Sequence, residues 1–260
     1  MRVILFEFWG IPIRSYGLVV AVAVLMGIGV TLHFAKQANK QSEQILNLSL
    51  IAVLGGLVGA RLWEVLFFQP EYYLSHPIDI VAIWKGGMSI QGGLAGGVIT
   101  AVWYIRKLGW KFWDTADLFA PGLILGQAVG RIACFLNGDA YGSPTGSSFG
   151  IVYPPGTVAY DQYGNQPLWP AEVWEGQWNL IVFAVLLILK SRTRSKGFLF
   201  LSYIGLYSVG RFALEFLRGD SPHYLFGWTA AQWTSVVAFA VTILGLLVTR
   251  KEVTKHAAGV

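Results

Sequence analysis

The segment GRIACFLNGDAYG, residues 130–142, combines residue types that can bind an anion. Arg131 stands at the end of a long apolar run, and Asn137 and Asp139 follow it among glycines. A guanidinium stays charged at physiological pH, and its planar fork matches the oxygens of a phosphate. The segment therefore indicates a site for an anionic ligand at the end of an apolar element.

Other charged residues also lie inside apolar segments. Arg61 and Glu64 occupy one such segment. Arg211 and Glu215 occupy another, where their spacing of four places them on one helical face, with Arg218 close to that face. Charged residues inside membrane spans are rare and usually functional. Each pair is also consistent with an internal ion pair that only fixes helix register, and the residues alone leave both interpretations open.

The composition is typical of an integral membrane protein. The chain has 260 residues, of which 55% are hydrophobic and 13% charged, whereas a soluble domain has about 25% charged residues. The net charge of +5 does not indicate nucleic-acid binding, because the basic residues form short clusters between apolar runs. Cys134 is the single cysteine, so no intramolecular disulfide can form. Such a lone cysteine is more often a small buried apolar residue than a nucleophile.

We predict an all-α fold, a polytopic integral membrane helical bundle with about seven transmembrane helices and an external cap segment. One membrane domain, residues 1–260, would contain all of them. Each span needs about 20 apolar residues. The predicted spans are 16–35, 47–68, 88–106, 116–136, 174–190, 197–217 and 228–249.

The distribution of Lys and Arg predicts the orientation. Twelve of these residues fall on one side of the predicted spans and four on the other, and the richer side should be cytoplasmic. The N-terminus is then outside and the C-terminus cytoplasmic. This orientation places Arg61, Arg131 and Arg211 in the outer leaflet, together with Tyr16 and Gln91. The anion available at that depth is a phospholipid head group, bound either as substrate or as structural lipid.

The segment 137–173 contains no Lys or Arg and is rich in Gly, Pro and Tyr. Long loops are usually functional or disordered. The aromatic content favours an ordered external cap over a loose loop.

A transporter would spread its polar residues through the depth of the spans, which this sequence does not do.

The segment 130–142 resembles the signature of the bacterial prolipoprotein diacylglyceryl transferase family. That signature is Gly-Arg, then Asn-Phe, a hydrophobic residue, Asn, any residue, Glu, two residues and Gly. Five other segments match family motifs in order and spacing, which is more specific than any one match. They are SYGL at 15–18, GARLWEVLF at 59–67, WKGGMSIQGGLAGG at 84–97, YSVGRFALEFLRGD at 207–220 and AAQWTSV at 230–236.

The resemblance implies a transferase that acts at the outer face of the bacterial cytoplasmic membrane, as a multi-pass protein. It would move the diacylglyceryl group from phosphatidylglycerol to the lipobox cysteine thiol of preprolipoproteins and release glycerol phosphate, the first step of lipoprotein maturation. The implied partners are phosphatidylglycerol and the signal-peptide and lipobox segment, with no nucleic acid, no metal and no other cofactor.

The resemblance also implies roles for individual residues. Arg131 and Arg211 match the family's essential arginines and would hold the phosphate. Glu215 and Asp139 would orient those arginines or assist the thiol, and Gln91 would position donor or thiol. The residues expected to bind substrate are Arg131, Tyr16, Asn137, Gly142, Arg61 and Arg218.

Several positions depart from the family pattern. Gln91 replaces the histidine of a His-Gly-Gly-Leu motif, and glutamine cannot take a proton near neutral pH. Cys134 replaces the first signature asparagine, and Asp139 replaces the signature glutamate. Either the enzyme tolerates these changes, with Glu215, Asp139 or the arginine field activating the thiol, or the chain is a divergent paralogue with another acceptor. A third alternative is a non-catalytic phospholipid-binding membrane protein.

Overall fold

The computed structural model describes residues 4–8, 11–192 and 195–258, most of which are helical. A two-stranded antiparallel hairpin, β1 (Ile4–Phe8) and β2 (Ile11–Arg14), precedes the helices and was not predicted. The helices are α1 (Ser15–Gln37), α2 (Ser42–Trp63), α3 (Pro70–Ser75), α4 (Ile90–Lys107), α5 (Phe112–Asn137), α6 (Val158–Tyr163), α7 (Ala171–Arg192), α8 (Phe198–Glu215) and α9 (Ala230–Ala258). A π-helical turn, Glu64–Phe68, extends α2, and short 3-10 turns cover Pro77–Val81, Ile83–Lys85 and Leu225–Gly227.

Every predicted span coincides with a helix, and the fold is a polytopic membrane helical bundle, as predicted. Within the described ranges, five helices are long and apolar enough to cross a membrane, namely Ser15–Gln37, Ser42–Phe68, Phe112–Asn137, Ala171–Ser191 and Ala230–Val248. The other two predicted spans are α4 and α8, each of 18 residues. Glycines in α4 and polar residues in α8 lower their apolar character, so their crossing of the membrane stays a prediction. The orientation also stays a prediction, and Arg2 and Arg194, which contribute to it, lie outside the described residues.

The chain divides into two compact units, Leu32–Thr115 and a second unit of Met1–Thr31 with Ala116–Val260. In the unit Leu32–Thr115, α2 packs closely on α4 through glycines of both helices. A Cβ on Gly59 would lie 2.9 Å from the Cα of Gly96, which is too close for any larger residue. The glycines of GGLVGAR in α2 and QGGLAGG in α4 therefore serve close helix packing. The prediction of a single membrane domain stays a prediction.

In the larger unit, α5, α7 and α8 surround an apolar cluster. Asp117 on α5 accepts hydrogen bonds from the backbone N–H groups of Gly197 (2.6 Å) and Phe200 (2.8 Å). These bonds cap the first turn of α8 and join one end of α8 to α5. The buried members of the cluster are Ala120, Ile124, Val182, Leu186, Leu199 and Tyr203.

The segment between α5 and α7 is ordered and contains α6. Isolated β-bridges pair Leu168 with both Pro144 and Ile151. Thr157 begins α6, where its hydroxyl accepts the backbone N–H of Tyr160 at 3.3 Å. A buried apolar cluster of Tyr141, Tyr153, Ala159 and Leu168 holds the segment together. We call this segment the cap, and its external position stays a prediction.

Candidate active site

Three arginines meet around Glu175 in the larger unit. Arg131 comes from α5, Arg211 from α8, and Arg218 from the chain just after α8. Arg131 Nη2 donates a hydrogen bond to Glu175 Oε1. Glu175 Oε2 lies 3.3 Å from Arg211 Nη1 and 3.8 Å from Arg218 Nη1. Together with Glu215, these residues are called the arginine cluster below.

A second carboxylate supports Arg211 in the cluster. Arg211 Nη1 lies 2.8 Å from Glu215 Oε2, which confirms the pair expected from their spacing. Thr229 Oγ1 donates a hydrogen bond to Glu215 Oε1 at 2.8 Å. Glu215 is therefore held on both sides and fixes the position of the Arg211 guanidinium.

A glycine allows the close approach of α7 to α5 that forms the cluster. A Cβ on Gly176 would lie 3.3 Å from the Cβ of Arg131 and 3.5 Å from the carbonyl oxygen of Ala128. Glu175, the preceding residue, consequently faces Arg131 directly, and only 2% of its side chain is exposed. The arginine side chains are more exposed, at 22% for Arg131 and 16% for Arg211. An anion would therefore meet arginines rather than carboxylates.

The charges within this part of the structure nearly balance. Arg218 donates to Asp220 through Nε at 2.8 Å and Nη2 at 2.7 Å. Its Nη1 is buried and makes no hydrogen bond within the described residues. The three carboxylates Glu175, Glu215 and Asp220 match the three arginines Arg131, Arg211 and Arg218 in number. This part of the structure therefore carries no large excess of positive charge, and the buried Nη1 of Arg218 faces Glu175 Oε2 at 3.8 Å.

Asn137 and Asp139 lie near Arg131 and interact with each other. Asn137 Nδ2 donates to Asp139 Oδ2 at 3.0 Å. Asp139 Oδ1 is buried and has no hydrogen-bond partner among the described residues. Arg131 Nη1 lies 3.6 Å from the Sγ of Cys134. Glu215, rather than Asp139, thus pairs with an arginine, and Asp139 retains a buried oxygen without a hydrogen-bond partner among the described residues.

Gly142 joins the cap to the chain after α8. It forms an isolated β-bridge with Arg218, and its N–H donates to the carbonyl oxygen of Trp169 at 3.1 Å. A Cβ on Gly142 would meet that same carbonyl and the side chain of Trp169. Gly142 therefore positions the backbone of Arg218, and its predicted contact with substrate remains untested.

Tyr16 lies at the start of α1, in the same unit as the arginine cluster. Its ring is 40% exposed, and it is close enough to Arg131, Cys134 and Asp139 to interact with them electrostatically. Further along α1, Ala23 and Gly27 pack against α5. The structure thus brings together Tyr16, Arg131, Asn137, Asp139, Gly142, Arg211, Glu215 and Arg218.

Arg61 lies in the unit Leu32–Thr115, where backbone carbonyl oxygens surround its guanidinium. Its side chain is buried, and its guanidinium donates to five backbone carbonyl oxygens of the loop before α4. The acceptors are Asp79, Ile80 (3.0 Å), Ala82 (3.3 Å), Gly86 (2.5 Å) and Gly87 (2.8 Å). Because arginine has five N–H donors, none remains for a phosphate. This arrangement favours a loop-supporting role over the predicted substrate contact.

Gln91 lies in the first turn of α4, in the same unit as Arg61. Ser89 caps this helix, since its Oγ accepts the N–H of Gly92 at 3.4 Å. The Ser89 hydroxyl in turn donates to Gln91 Oε1 at 2.7 Å. The amide oxygen of the exposed Gln91 is thus engaged by Ser89, and its predicted contact with donor or thiol remains untested.

Two buried glutamates were missed as site residues by the sequence reasoning. Glu175 ends the stretch WPAEVWE, residues 169–175. This stretch shares only its proline and its final glutamate with the family motif His-Pro-Ser-Gln-Leu-Tyr-Glu, and that resemblance was the available signal. Glu172 accepts a hydrogen bond from Tyr153 in the cap. Burial, together with Glu172, raises the pKa of Tyr153 well above its ordinary value, so the hydroxyl stays protonated and donates.

Comparison with known proteins relates this geometry to a family. The model of the family described as prolipoprotein diacylglyceryl transferase matches residues 3–248. The chain belongs to this family. A protein of Nostoc sp. is 38% identical over 254 residues, which cover 94% of this chain and 87% of the relative. A protein of Geobacillus kaustophilus is 37% identical over 244 residues, which cover 93% of this chain and 90% of the relative. Both relatives are named phosphatidylglycerol–prolipoprotein diacylglyceryl transferase.

Family membership and the long apolar helices together identify a multi-pass membrane protein of the transferase class. The match extends over the arginine cluster, the cap and the unit Leu32–Thr115. Within the described ranges, no group of three or more His, Cys, Asp or Glu side chains is arranged to hold a metal ion.

Proposed function

We propose that this chain transfers the diacylglyceryl group of phosphatidylglycerol to the lipobox cysteine thiol of preprolipoproteins, at the outer face of the bacterial cytoplasmic membrane. The observation that carries the proposal is the arginine cluster, in which the partly exposed side chains of Arg131 and Arg211 lie beside a buried Glu175. The names of the relatives support the same donor and the same class of acceptor.

The reaction requires stabilisation of a departing phosphate. The thiolate sulfur of the acceptor attacks the glycerol carbon that bears the phosphate, a C–S bond forms, and the C–O bond to the phosphate breaks. Glycerol phosphate leaves with the bonding electron pair. Arg131 and Arg211 bind the phosphate oxygens, on which negative charge increases as the bond breaks.

The thiol proton needs an acceptor, and Asp139 is the best placed of the described groups. Its Oδ2 is occupied by Asn137, while its buried Oδ1 has no hydrogen-bond partner among the described residues. Glu215 is engaged by both Arg211 and Thr229. We therefore assign proton acceptance to Asp139 and arginine positioning to Glu215. The positive field of Arg131 favours the thiolate.

The other predicted residues take supporting roles. Tyr16 and Asn137 hydrogen-bond the lipid or Asp139, and Gly142 together with Arg218 connects the cap to the cluster. Gln91 donates a hydrogen bond to donor or acceptor without taking a proton. Arg61 is assigned to loop support instead of substrate binding, because its five donors are already used. We also propose that the N-terminus lies outside the cytoplasm and the C-terminus inside it.

The test combines the purified chain, phosphatidylglycerol and a lipobox peptide, and measures the peptide mass. We expect a diacylglyceryl mass gain that disappears when the peptide cysteine is replaced by serine. Arg131→Gln and Arg211→Gln should each lower the rate about 100-fold, the usual loss for a removed electrostatic stabiliser. Arg106→Gln, at an exposed position in the last turn of α4, is the matched control and should keep the parental rate.

Two results would change this conclusion. Full activity in both arginine variants would contradict the phosphate-binding role of the cluster. No mass gain with any lipobox peptide, while lipid binding is intact and a related family enzyme is active beside it, would favour the divergent paralogue or the non-catalytic lipid-binding protein.

A further inference from the structure

A second set of polar side chains lies one helical turn away from the arginine cluster, towards the middle of the spans. Gln127 precedes Arg131 by four residues on α5, and Asn179 follows Glu175 by four residues on α7. Four residues correspond to about 6 Å along a helix axis. Tyr203 on α8 completes the set, because the amide of Gln127 donates to its hydroxyl at 2.8 Å. These three residues are called the polar layer.

Gln127 retains hydrogen-bonding capacity in the polar layer. Its Nε2 has two N–H groups, one of which is used by Tyr203, and its Oε1 is a further acceptor. The side chain of Gln127 is exposed although it lies in the middle of the apolar helix α5, whereas Tyr203 is only 6% exposed. An amide exposed to hydrocarbon is costly unless a polar partner meets it.

Asn179 adds an independent indication of a ligand. The residue is fully buried, and neither amide atom has a hydrogen-bond partner among the described residues. It lies on the helical face of α7 that also carries Glu175 and Val182, which points into the unit. A buried amide without a partner costs about 1–3 kcal/mol, so a polar group that meets it would be favoured.

We propose that the polar layer binds the ester carbonyl oxygens of the lipid donor. This inference rests on the proposed function and adds a subsite to it. When the arginine cluster holds the phosphate, the ester groups of the same glycerol lie next to it on the side of the acyl chains. The polar layer is about 6 Å deeper than the cluster, and its amide N–H and phenol groups are donors that suit carbonyl acceptors.

The neighbouring surface of α5 suits the rest of such a lipid. Leu123 precedes Gln127 by four residues, on the same helical face, and its side chain is 43% exposed. The face therefore changes from cationic at Arg131, to amide at Gln127, to apolar at Leu123. A glycerophospholipid presents its phosphate, its ester carbonyls and its acyl chains in the same order.

The test uses two donors that differ only in the carbonyl groups. Phosphatidylglycerol with two ester-linked chains is compared with the diether analogue, whose alkyl chains have the same length. The bond that breaks, between glycerol and phosphate, is the same in both. The KM and kcat for each donor are measured with the full chain and a lipobox peptide, and the binding of each donor is measured by native mass spectrometry.

We expect the unmodified chain to prefer the diester by about three- to tenfold in KM, the range for one or two neutral hydrogen bonds. Gln127→Leu and Tyr203→Phe should each move this ratio towards one by raising KM for the diester, with little change for the diether. A role in packing alone would affect both donors equally. Thr242→Val is the matched control, since it removes a buried hydroxyl on α9 that lies against Gly205 of α8, and it should preserve the ratio.

An equal KM for diester and diether in the unmodified chain, or a preference that persists in both Gln127→Leu and Tyr203→Phe, would overturn the inference. Having two variants keeps the test decisive if one of them fails to fold. Absence of transfer from either donor would instead contradict the proposed function. In that case the diester-to-diether binding ratio in native mass spectrometry would still test the polar layer. This ratio should move towards one in Gln127→Leu and in Tyr203→Phe.

Discussion

Replacing Glu175 by glutamine tests the central contact of the arginine cluster. The substitution keeps the size of the side chain and removes one negative charge that faces Arg131, Arg211 and Arg218. Because only 2% of the Glu175 side chain is exposed, water can replace little of the lost interaction. Removing one partner of a buried ion pair costs about 3–5 kcal/mol. The partial exposure of Arg131 reduces the cost, and we expect the free energy of unfolding to fall by about 3 kcal/mol.

The same substitution should strengthen the response of the protein to an anionic lipid. In Glu175→Gln, the arginine cluster gains a net positive charge, which the phosphate of phosphatidylglycerol can neutralise. A ligand that binds the folded state raises its thermal stability. We therefore expect phosphatidylglycerol to raise the Tm of Glu175→Gln more than that of the parent chain. Transfer to the peptide should be slower, because Arg131 and Arg211 lose the carboxylate that positions them.

The assay is thermal unfolding in detergent micelles, titrated with phosphatidylglycerol or with zwitterionic phosphatidylcholine. Glu43→Gln, at an exposed position in the first turn of α2, removes the same charge far along the chain from the cluster and serves as the control. If Glu175→Gln unfolds at the parental temperature and shows the parental shift with phosphatidylglycerol, then Glu175 does not organise the cluster and the charge argument is refuted.

Two further substitutions test the supporting elements. Arg61→Ala should lower the free energy of unfolding by about 3 kcal/mol, because carbonyl oxygens lose their donor, and Arg61→Lys should restore only part of it, since an ammonium has three N–H groups. A parental Tm in both variants, measured by thermal unfolding, would exclude the loop-supporting role. Gly142→Ala should loosen the cap and increase its cleavage in limited proteolysis, because its Cβ would meet Trp169. Gly29→Ala, which has no neighbour within 4 Å, should be cleaved like the parent, and equal cleavage of the two variants would contradict this reasoning.

The fold was predictable because its signals are local. Each predicted span is a long apolar run, and each coincides with a helix, since a hydrophobic run of sufficient length has few other solutions in a membrane. The hairpin of Ile4–Phe8 and Ile11–Arg14 was not predicted, since strands of five and four residues are too short to give a clear alternating pattern.

The site was predictable only in part, because its central contacts are distant in sequence. The pair Arg211–Glu215 follows from a spacing of four residues. The contact between Arg131 and Glu175 joins residues 44 positions apart, and no local pattern specifies it. Arg61 illustrates the opposite error. A buried arginine indicates a partner but does not identify it, and here the partners are carbonyl oxygens of a loop 18 to 26 residues away.

The near balance of charge in the arginine cluster has a consequence for the proposed catalysis. A phosphodiester carries one negative charge, and the phosphate group that leaves carries more. Interactions that strengthen as this charge increases stabilise the transition state more than the substrate. In the proposed mechanism, Arg131 binds both Glu175 and the phosphate. As negative charge increases on the phosphate, the guanidinium can shift its hydrogen bonds from Glu175 to the phosphate oxygens. A cluster with a large excess of arginines would bind the donor and the leaving group tightly alike and would retain the product. In the proposed mechanism, the buried carboxylates would therefore contribute to turnover by limiting ground-state binding, and not only by holding the arginines in place.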